Sequence, residues 1–426
     1  MVKRIVLASL FFATLTISAQ NGTVSPYSAF GIGDLRQGRS IENQSMGGIG
    51  FYTDSIHIHL NNPAALGKLG LATYTGALAR KEYRMETSDD AQRTSVTSLD
   101  YLSIAFPLIA QRAGMAFGAK PFSSVGYQLE DRRELDNGDL VLNEYSGQGG
   151  INEVFLSAGF QLMPGMHLGA TVSYYFGQLE NRRVQVTEGI AYGTLDERQS
   201  DISGFDFNYA LTYSPNIGPK HTLFTSLRAH TQTNLTSKNQ RRIGTFVPLS
   251  GNEIEVIDVD LDRDNLRNTE IKIPTTFSLG LGIGHEQRWM FGGEYSFQQF
   301  SDFGNDFLDG DNIEYQDASS YALGGYWIPD FTDIDSYFNR VVYRAGVRLD
   351  NTGFIVNEKD ISNFGITFGM GFPLGFEYSN LNLGLEVGRR GTTMNNLVRE
   401  SYFKVSIGLS LNASGPNRWF QKRQIN

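Results

Sequence analysis

Two histidines and two acidic stretches are the residues whose types and spacing could bind a metal ion. His57 and His59 stand two residues apart, a spacing that places both imidazoles on one face of a β-strand. A third ligand is not evident, so we expect a polar strand and no metal site. The acidic stretches lack the terminal glutamate of an EF-hand, which favours solvated loops over calcium sites. They comprise Asp258, Asp260, Asp262 and Asp264 in one loop and Asp309, Asp311 and Glu314 in another.

Other catalytic chemistry finds little support in the sequence. Gly280, Gly282 and Gly284 are spaced like half of a phosphate-binding loop, but they fall inside a predicted strand that no lysine or helix follows. A Ser-His-Asp hydrolase would need a Gly-x-Ser-x-Gly elbow, which the sequence lacks. The chain has no cysteine, which excludes disulfides, thiolate metal sites and cysteine nucleophiles. We therefore predict a protein that is not an enzyme and that uses no cofactor.

The elements that carry these residues are predicted to be β-strands. The 426-residue chain contains 47 glycines, 29 phenylalanines and 20 tyrosines, and only 19% of its residues are charged, a composition that favours an all-β fold. Apolar and polar residues alternate strictly at 402–411, so that Phe403, Val405 and Ile407 share one face. The same alternation predicts fourteen strands, at 70–82, 95–107, 112–122, 150–162, 166–180, 202–214, 220–232, 271–285, 288–299, 319–327, 340–350, 363–373, 381–390 and 402–411.

The connections between these strands favour a transmembrane barrel over a secreted β-sandwich. Short connections alternate with long ones, as in outer-membrane barrels, where periplasmic turns are short and outer loops are long. Spans of about 9–13 residues suit strands that cross a bilayer at a tilt. We therefore predict an antiparallel up-and-down β-barrel over residues 70–411, located in the outer membrane. The short connections are 108–111, 163–165, 215–219 and 286–287, and the long ones are 123–149, 181–201, 233–270 and 301–318.

The N-terminus predicts export. Lys3 and Arg4 precede an apolar stretch at 5–17, and the small residues that end at Ala19 are typical of a signal-peptide cleavage site. We expect residues 1–19 to be a signal peptide. Its loss removes two cations and changes the formal net charge from -9 to -11, which disfavours nucleic-acid binding.

The polar face of each predicted strand would line the lumen of the barrel. Charged side chains on that face can be satisfied by water, by a plug or by one another, whereas lipid could not satisfy them. We interpret them as stabilising ion pairs in preference to a ligand site. They are Arg228, Glu294, Arg344, Arg348, Glu386 and Arg390.

Residues 20–69 differ from the rest of the chain because they are glycine-rich and polar and contain no full transmembrane strand. Both ends of an even-stranded barrel lie on the periplasmic side, so this segment can fold into the lumen as a hatch. Its motif residues are Met46, Gly47, Gly48, Asn62, Pro63 and Ala64. A Met-Gly-Gly step and an Asn-Pro-Ala triplet before the first strand resemble the hatch of the FadL/OmpP1/TodX outer-membrane family. The resemblance implies a fourteen-stranded barrel plugged by an N-terminal hatch.

The C-terminal third is similar to a branch of that family found in Bacteroidetes. The similarity is carried by 343–354, 364–375 and 381–393, together with the end of the chain. The resemblance implies an apolar lumen pocket for long-chain fatty acids, whereas the lumen face of this sequence is charged. The chain end departs as well, because Phe420 is followed mainly by polar and basic residues.

Residues 412–426 are predicted to form a periplasmic tail. Trp419, Phe420 and Arg423 follow the last strand, where no lipid requires aromatic side chains. Aromatic residues beside cations are typical of docking interfaces, and an anchor at the membrane surface is the alternative.

Two functions remain open at this level. The hypothesis that we favour is passive transport of hydrophobic or amphipathic small molecules, which requires an apolar path between hatch and wall for a hydrophobic ligand. The alternative is a non-transporting structural subunit of an outer-membrane secretion or protein-assembly complex. That function requires a sealed, charged lumen and a surface for assembly or secretion partners. Outer-membrane lipid surrounds the barrel in either case.

Overall fold

The computed structural model describes residues 22–36, 38–136, 138–308, 313–375 and 378–413. The predicted signal peptide at 1–19 lies outside the described residues. Trp419, Phe420 and Arg423 of the predicted tail also lie outside them, as do Asp309 and Asp311 of the second acidic stretch.

The described residues form one antiparallel sheet that closes into a barrel of fourteen strand positions. The strands are β1 (Asp34–Leu35), β2 (Ala72–Glu86), β3 (Ala91–Ile109), β4 (Ala113–Glu134), β5 (Leu140–Met163), β6 (Met166–Thr187), β7 (Gly193–Tyr213), β8 (Asn216–Ile217), β9 (His221–His230), β10 (Thr233–Phe246), β11 (Glu253–Asp258), β12 (Asn268–Ile273), β13 (Thr276–His285), β14 (Trp289–Gln298), β15 (Ile313–Tyr315), β16 (Ala318–Trp327), β17 (Val342–Val356), β18 (Lys359–Pro373), β19 (Asn380–Arg390) and β20 (Arg399–Ala413).

The order around the barrel is β2-β3-β4-β5-β6-β7-β9-β13-β14-β16-β17-β18-β19-β20, and β20 pairs with β2 to close it. Strand β10 follows β9 in the chain and pairs with the outer part of β7. Strand β12 precedes β13 and pairs with β10, so the two extend the wall outward. Strand β11 folds back onto β10. Closure gives every strand of the wall a hydrogen-bonded neighbour on each side, as a membrane-spanning sheet requires.

In the described part of the chain, helical structure is confined to short turns. The described residues contain one α-helical turn, α1 (Ile41–Gln44), and five 3-10 turns at Pro26–Ala29, Pro63–Lys68, Phe300–Asp302, Tyr337–Arg340 and Met394–Asn396. No helix among the described residues has the length and apolarity needed to cross a membrane.

The fourteen-stranded all-β barrel predicted from the alternation is confirmed. Three of the four long connections are shorter than predicted, because much of each of these three is strand. The predicted connection 123–149, for example, is a hairpin in which β4 runs to Glu134 and β5 begins at Leu140. Above the bilayer both faces of a strand meet polar surroundings, so no apolar alternation marks the strand in the sequence. On the side of the short turns, residues 328–341 form a longer connection between β16 and β17.

The two faces of the sheet differ as a membrane barrel requires. On β20, Ile407 points outward and is 54% exposed, whereas Ser406 points inward and is 4% exposed. The inward face of the wall contacts residues 22–71, which we call the N-terminal segment. Three buried clusters combine this segment with the wall. They pair Tyr27 and Ile32 with Phe303 and Phe354, Met46 and Phe51 with Phe224 and Met290, and Ile58 and Leu66 with Tyr101 and Phe155.

Candidate functional site

The Met-Gly-Gly step lies directly against the barrel wall. Gly47 has a φ of 72°, and its N–H donates to Thr367 Oγ1 at 2.8 Å. A Cβ on the facing Gly346 would lie 2.2 Å from the Gly47 nitrogen, and one on Gly324 would lie 2.1 Å from the Met46 carbonyl oxygen. Glycine in the wall therefore allows backbone to touch backbone at this point.

The Asn-Pro-Ala triplet contacts a different part of the wall. Asn62 is fully buried, and its Nδ2 donates to the Gly50 carbonyl at 2.8 Å, which ties two turns of the segment together. Pro63 begins a 3-10 turn that packs on β5 and β6. A Cβ on Gly159 or on Gly169 would lie 2.3 Å from backbone atoms of Pro63.

The remaining two motif residues are buried inside the segment. Gly48 has a φ of 85°, and its N–H donates to the Asn43 carbonyl at 2.9 Å. The Asn43 side chain donates to the Ile49 carbonyl at 2.6 Å, which closes the turn after α1. Ala64 is fully buried in the turn that follows Asn62.

Two of the three glycines that resembled part of a phosphate loop make room for an aromatic ring, whereas a Cβ on the third, Gly284, would instead meet Trp289 and Met290. Gly280, Gly282 and Gly292 face inward on β13 and β14, and a Cβ on any of them would lie 2.4 or 2.5 Å from a side-chain atom of Phe51. Their spacing of two follows from the strand, because alternate residues share one face. This glycine stripe therefore serves packing of the segment.

Arg228 and Glu294 form a buried ion pair that also holds the segment. Arg228 Nη2 donates to Glu294 Oε1, and both side chains are almost completely buried. The second carboxylate oxygen of Glu294 accepts the N–H of Gly50 at 2.7 Å. Arg228 Nη1 lies 3.4 Å from the carbonyl oxygen of Asn61. The charges are thus satisfied by each other and by the backbone of the segment.

Three of the other lumen charges, Arg348, Glu386 and Arg390, belong to a second group on β17 and β19 that also includes Tyr402 of β20. Arg348 Nη2 donates to Glu386 Oε1 at 2.8 Å, and Tyr402 donates to the same oxygen at 2.9 Å. Arg390 Nη1 donates to Asp34 Oδ1 of β1 at 2.7 Å. Asp34 belongs to the N-terminal segment, so this pair links segment and wall.

Arg344 lies apart from these pairs, toward the end of the barrel with the short turns. Its Nη1 donates to Asn382 Oδ1 at 2.9 Å, and Asn382 Nδ2 donates to Glu42 Oε1 of the segment at 2.8 Å. At the other end, Ser25 Oγ donates to the buried Glu400. The six predicted lumen charges therefore do not converge on one spot.

The partners in the segment were missed by sequence reasoning. Asp34, Glu42 and Asp54 are acids in a segment without strand periodicity, so no pattern indicated that they would face wall cations or histidines. Arg344 was the available signal, because its neighbours across the ladder, Tyr326 and Gly369, offer it no acidic partner.

His57 and His59 do not lie on a strand, so the predicted polar strand is wrong at this position. The chain turns back there, because Asp54 Oδ1 accepts the N–H groups of Ile56 and His57 at 3.0 and 2.8 Å. The turn places His57 Nδ1 2.7 Å from Asp54 Oδ2 and His59 Nε2 3.8 Å from Asp54 Oδ1. Within the described part of the chain, no group of three or more histidine or carboxylate side chains could hold a metal ion.

The Asp54–His57 pair is electrostatically coupled. Burial opposes charge on both groups, but the His57 imidazole holds the pKa of Asp54 well below its usual range. Burial lowers the pKa of His57, yet the nearby Asp54 carboxylate outweighs this effect and raises that pKa above its ordinary value. The pair therefore favours a charged histidine beside a charged carboxylate.

The wall is split between β3 and β4 in its outer half. Among the described residues these strands pair only from Leu102–Ala119 to Ile109–Ala113. Beyond that point β4 pairs with β5 on one side, and β1 of the N-terminal segment occupies its other edge at Ser123 and Ser124. The segment thus closes part of the gap that β3 leaves.

A cavity of about 330 Å³ remains between the segment and the wall. Phe300, Phe303 and Phe354 form an aromatic side, and charged side chains form the other. There, His230 Nε2 lies 2.7 Å from Asp206 Oδ2. The lining is therefore mixed and not uniformly apolar.

Solved structures with the same fold include a hydrocarbon channel and toluene transporters. The CymD monoaromatic hydrocarbon channel matches at a TM-score of 0.53 and 14% identity, covering 91% of this chain and 99% of that chain. The toluene transporter TbuX of Ralstonia pickettii matches at 0.59 and 13% identity, covering 88% and 98%. The toluene transporter TodX of P. putida matches at 0.58 and 15% identity, covering 89% and 100%. At these identities the similarity establishes the fold.

The sequence itself matches one family along its whole length. The family model described as BamG covers residues 1–426. No curated protein matches the sequence.

Proposed function

The chain belongs to the BamG family, and on that premise we propose that it is a sealed outer-membrane barrel that acts as a non-transporting subunit of an assembly complex. The family name favours an assembly role over transport. The barrel fold, with its apolar outer face, is the architecture of outer-membrane proteins.

The observation that carries the proposal is the attachment of the N-terminal segment to the wall around the whole barrel. Gly47 touches β16 and β17, Pro63 touches β5 and β6, and Phe51 packs on β13 and β14. A gate for solutes would have to leave these contacts, separate Asp34 of the segment from Arg390 of the wall, and withdraw the Gly50 N–H from Glu294. Breaking one buried ion pair costs about 3–5 kcal/mol, so displacement of the whole segment is strongly disfavoured.

Purification of the tagged, full-length protein in a mild detergent tests the assembly role. We expect a second membrane protein to copurify at a fixed ratio that survives gel filtration. An unrelated tagged barrel from the same membrane is the control. A monodisperse monomer at every detergent concentration would contradict the proposal.

Conductance in planar bilayers tests the sealed lumen. We expect the full-length barrel to be closed and a variant that lacks residues 22–69 to insert with a higher conductance, because the deletion empties the lumen. Equal conductance of the two proteins would show that the segment does not seal the pore.

Passive transport of hydrophobic or amphipathic small molecules is the second candidate. The cavity beside Phe300 and the split between β3 and β4 favour it, as does the fold shared with hydrocarbon channels. Ser278→Phe would fill the cavity, whereas Leu279→Phe on the outward face of the same strand would not. Uptake of labelled toluene by cells that depends on the protein and is lost only in Ser278→Phe would favour transport over the assembly role.

A further inference from the structure

The outward face of β14, β16, β17 and β18 contains an apolar depression of about 900 Å³. Its floor is formed by Gly325 and Ala345, which are direct neighbours in the β16–β17 ladder. Phe291 and Phe368 stand on either side of them in the same row of the sheet. Because the floor residues are small and the flanking residues are large, the surface is concave within the lipid belt.

Aromatic side chains border the depression at the end of the barrel with the short turns. Trp289 and Trp327 are paired across β14 and β16, and Tyr343 lies beside Trp327 with 5.8 Å between the ring centroids. Tryptophan and tyrosine are frequent anchors of protein interfaces, and they are also enriched at membrane surfaces. The depression alone could therefore be covered by lipid.

The apolar surface continues beyond the strands into the connection 328–341. The Tyr343 hydroxyl donates to the Phe338 carbonyl at 3.2 Å, so this connection begins directly below the depression. Ile334 is 92% exposed and Phe338 is 67% exposed. On the periplasmic side of the strands, exposed apolar side chains of this size indicate a partner.

The same connection is acidic and well ordered by its own hydrogen bonds. Asp333 Oδ1 accepts the N–H groups of Asp335 and Ser336 at 2.8 and 2.9 Å, and Asp330 Oδ1 accepts that of Thr332 at 2.9 Å. Anionic lipid headgroups would be repelled by these carboxylates, whereas basic side chains of a protein would be attracted. The charge therefore favours a protein over lipid as the occupant.

We propose that the depression around Ala345 and the connection 328–341 form one docking face for the wall of a second, different outer-membrane barrel protein. That partner would place large apolar side chains on Gly325 and Ala345 and basic side chains opposite Asp330, Asp333 and Asp335. This inference rests on the proposed assembly function and identifies the surface that would bind the partner.

Photo-crosslinking in living cells tests the docking face. Benzoylphenylalanine is placed at Ala345 or at Phe338 of the full-length protein, with Ala170 as the control, because Ala170 is a small, outward-facing residue of β6 on another part of the wall. We expect both test positions to attach the same integral barrel protein with a basic periplasmic rim, identified by mass spectrometry, and Ala170 to attach none. Adducts with lipid alone, with a second copy of this chain, or with equal yield at Ala170 would overturn the proposal.

Two variants test the chemistry of the contact. Ala345→Phe fills the depression and Asp335→Lys reverses a charge, so each should lower the adduct formed from Phe338 on the order of tenfold. Ala170→Phe is the matched control and should leave the yield unchanged, and heat-modifiable migration on gels reports folding of each variant. If a partner copurifies but both variants bind it normally, the docking face is wrong and the assembly function stands. If no partner copurifies with the unaltered protein, the proposed function itself fails.

Discussion

Individual glycines set how closely the N-terminal segment approaches the wall. Gly346 and Gly324 meet the backbone of Met46 and Gly47, and Gly280 and Gly282 meet the Phe51 ring. A side chain at Gly346 or Gly324 would have to displace backbone, which cannot move aside as a flexible side chain can.

Gly346→Ala is therefore expected to loosen the segment at the cost of about 1–3 kcal/mol, as overpacking usually does. Limited proteolysis of the refolded barrel would report this as faster cleavage within residues 22–71. Gly375→Ala is the control, because a Cβ there has no neighbour within 4 Å. Equal cleavage of both variants would mean that the close contact at Gly47 does not hold the segment.

Glu294→Gln is expected to destabilise the barrel by about 3–5 kcal/mol, because it leaves the buried Arg228 without its counter-ion. Arg80→Met breaks the exposed pair with Glu82 and should cost about 0–1 kcal/mol. Unfolding in urea, followed by tryptophan fluorescence, measures both. A small effect of Glu294→Gln would show that water reaches the Arg228 site.

The Asp54–His57 pair predicts a pH dependence. Because the pKa of His57 is raised, its contribution to the stability of the folded segment is complete below the ordinary pKa of 6.5. That contribution is lost as the pH rises through the higher pKa of the folded state. The lowered pKa of Asp54 means that its contribution is present above 3.8 and is lost in acid. Glu42, Arg344 and the amide of Asn380 also face His57.

Hydrogen exchange of residues 52–60 between pH 5 and 9 measures this effect. We expect faster exchange at alkaline pH, after correction for the intrinsic rate, and no such change in His57→Gln. His221→Gln, at an exposed histidine, is the control. An alkaline change that persists in His57→Gln would assign the effect to another group.

At the scale of elements, each strand separates lipid from the lumen by its alternation. On β20 the outward Ile407 lies near the middle of the strand and Leu411 near its end. Ile407→Lys is therefore expected to cost about 2–4 kcal/mol, whereas Leu411→Lys should cost only about 0–1 kcal/mol near the membrane surface. Reversible unfolding from liposomes measures the difference, and the opposite order would misplace the strand in the bilayer.

The β1 pairing shows how an element outside the barrel completes it. Strand β4 leaves β3 beyond Ala119, and its exposed edge is a liability that another strand can cover. Asp34 and Leu35 provide that cover at Ser124 and Ser123. The segment therefore belongs to the wall as well as to the lumen.

For the whole molecule, the strand order fixes which connections share a side of the membrane. An epitope inserted after Gly189 or Asn252, at the tips of the long hairpins, should be labelled by antibody on intact cells. One inserted after Asn216, beside β8, should be labelled only after the outer membrane is permeabilised. Labelling of the Asn216 site on intact cells would invert the topology.

Much of the architecture follows from sequence because alternation is local. Phe403, Val405 and Ile407 predict an outward face without any knowledge of their neighbours, and the same period locates all fourteen strand positions. The extensions of β4 to β7 beyond the bilayer were not predicted, because polar residues cover both of their faces there.

The contacts of the lumen are non-local, and only the tertiary structure decided them. The charges on β17 and β19 could be placed on the inner face from sequence, but their partners could not. Arg390 contacts Asp34, which lies 356 residues away in the sequence, and Gly50 contacts Glu294, which lies 244 residues away. Alternation between neighbouring residues cannot predict contacts at such separations. Their spacing predicted a strand at His57 and His59. Instead, the Asp54 carboxylate caps a turn there, and both imidazoles lie close to it. The sequence determined which face of each strand meets lipid, because burial in a sheet repeats every two residues. The structure decided what fills the barrel, because closure brings distant strands around one short segment.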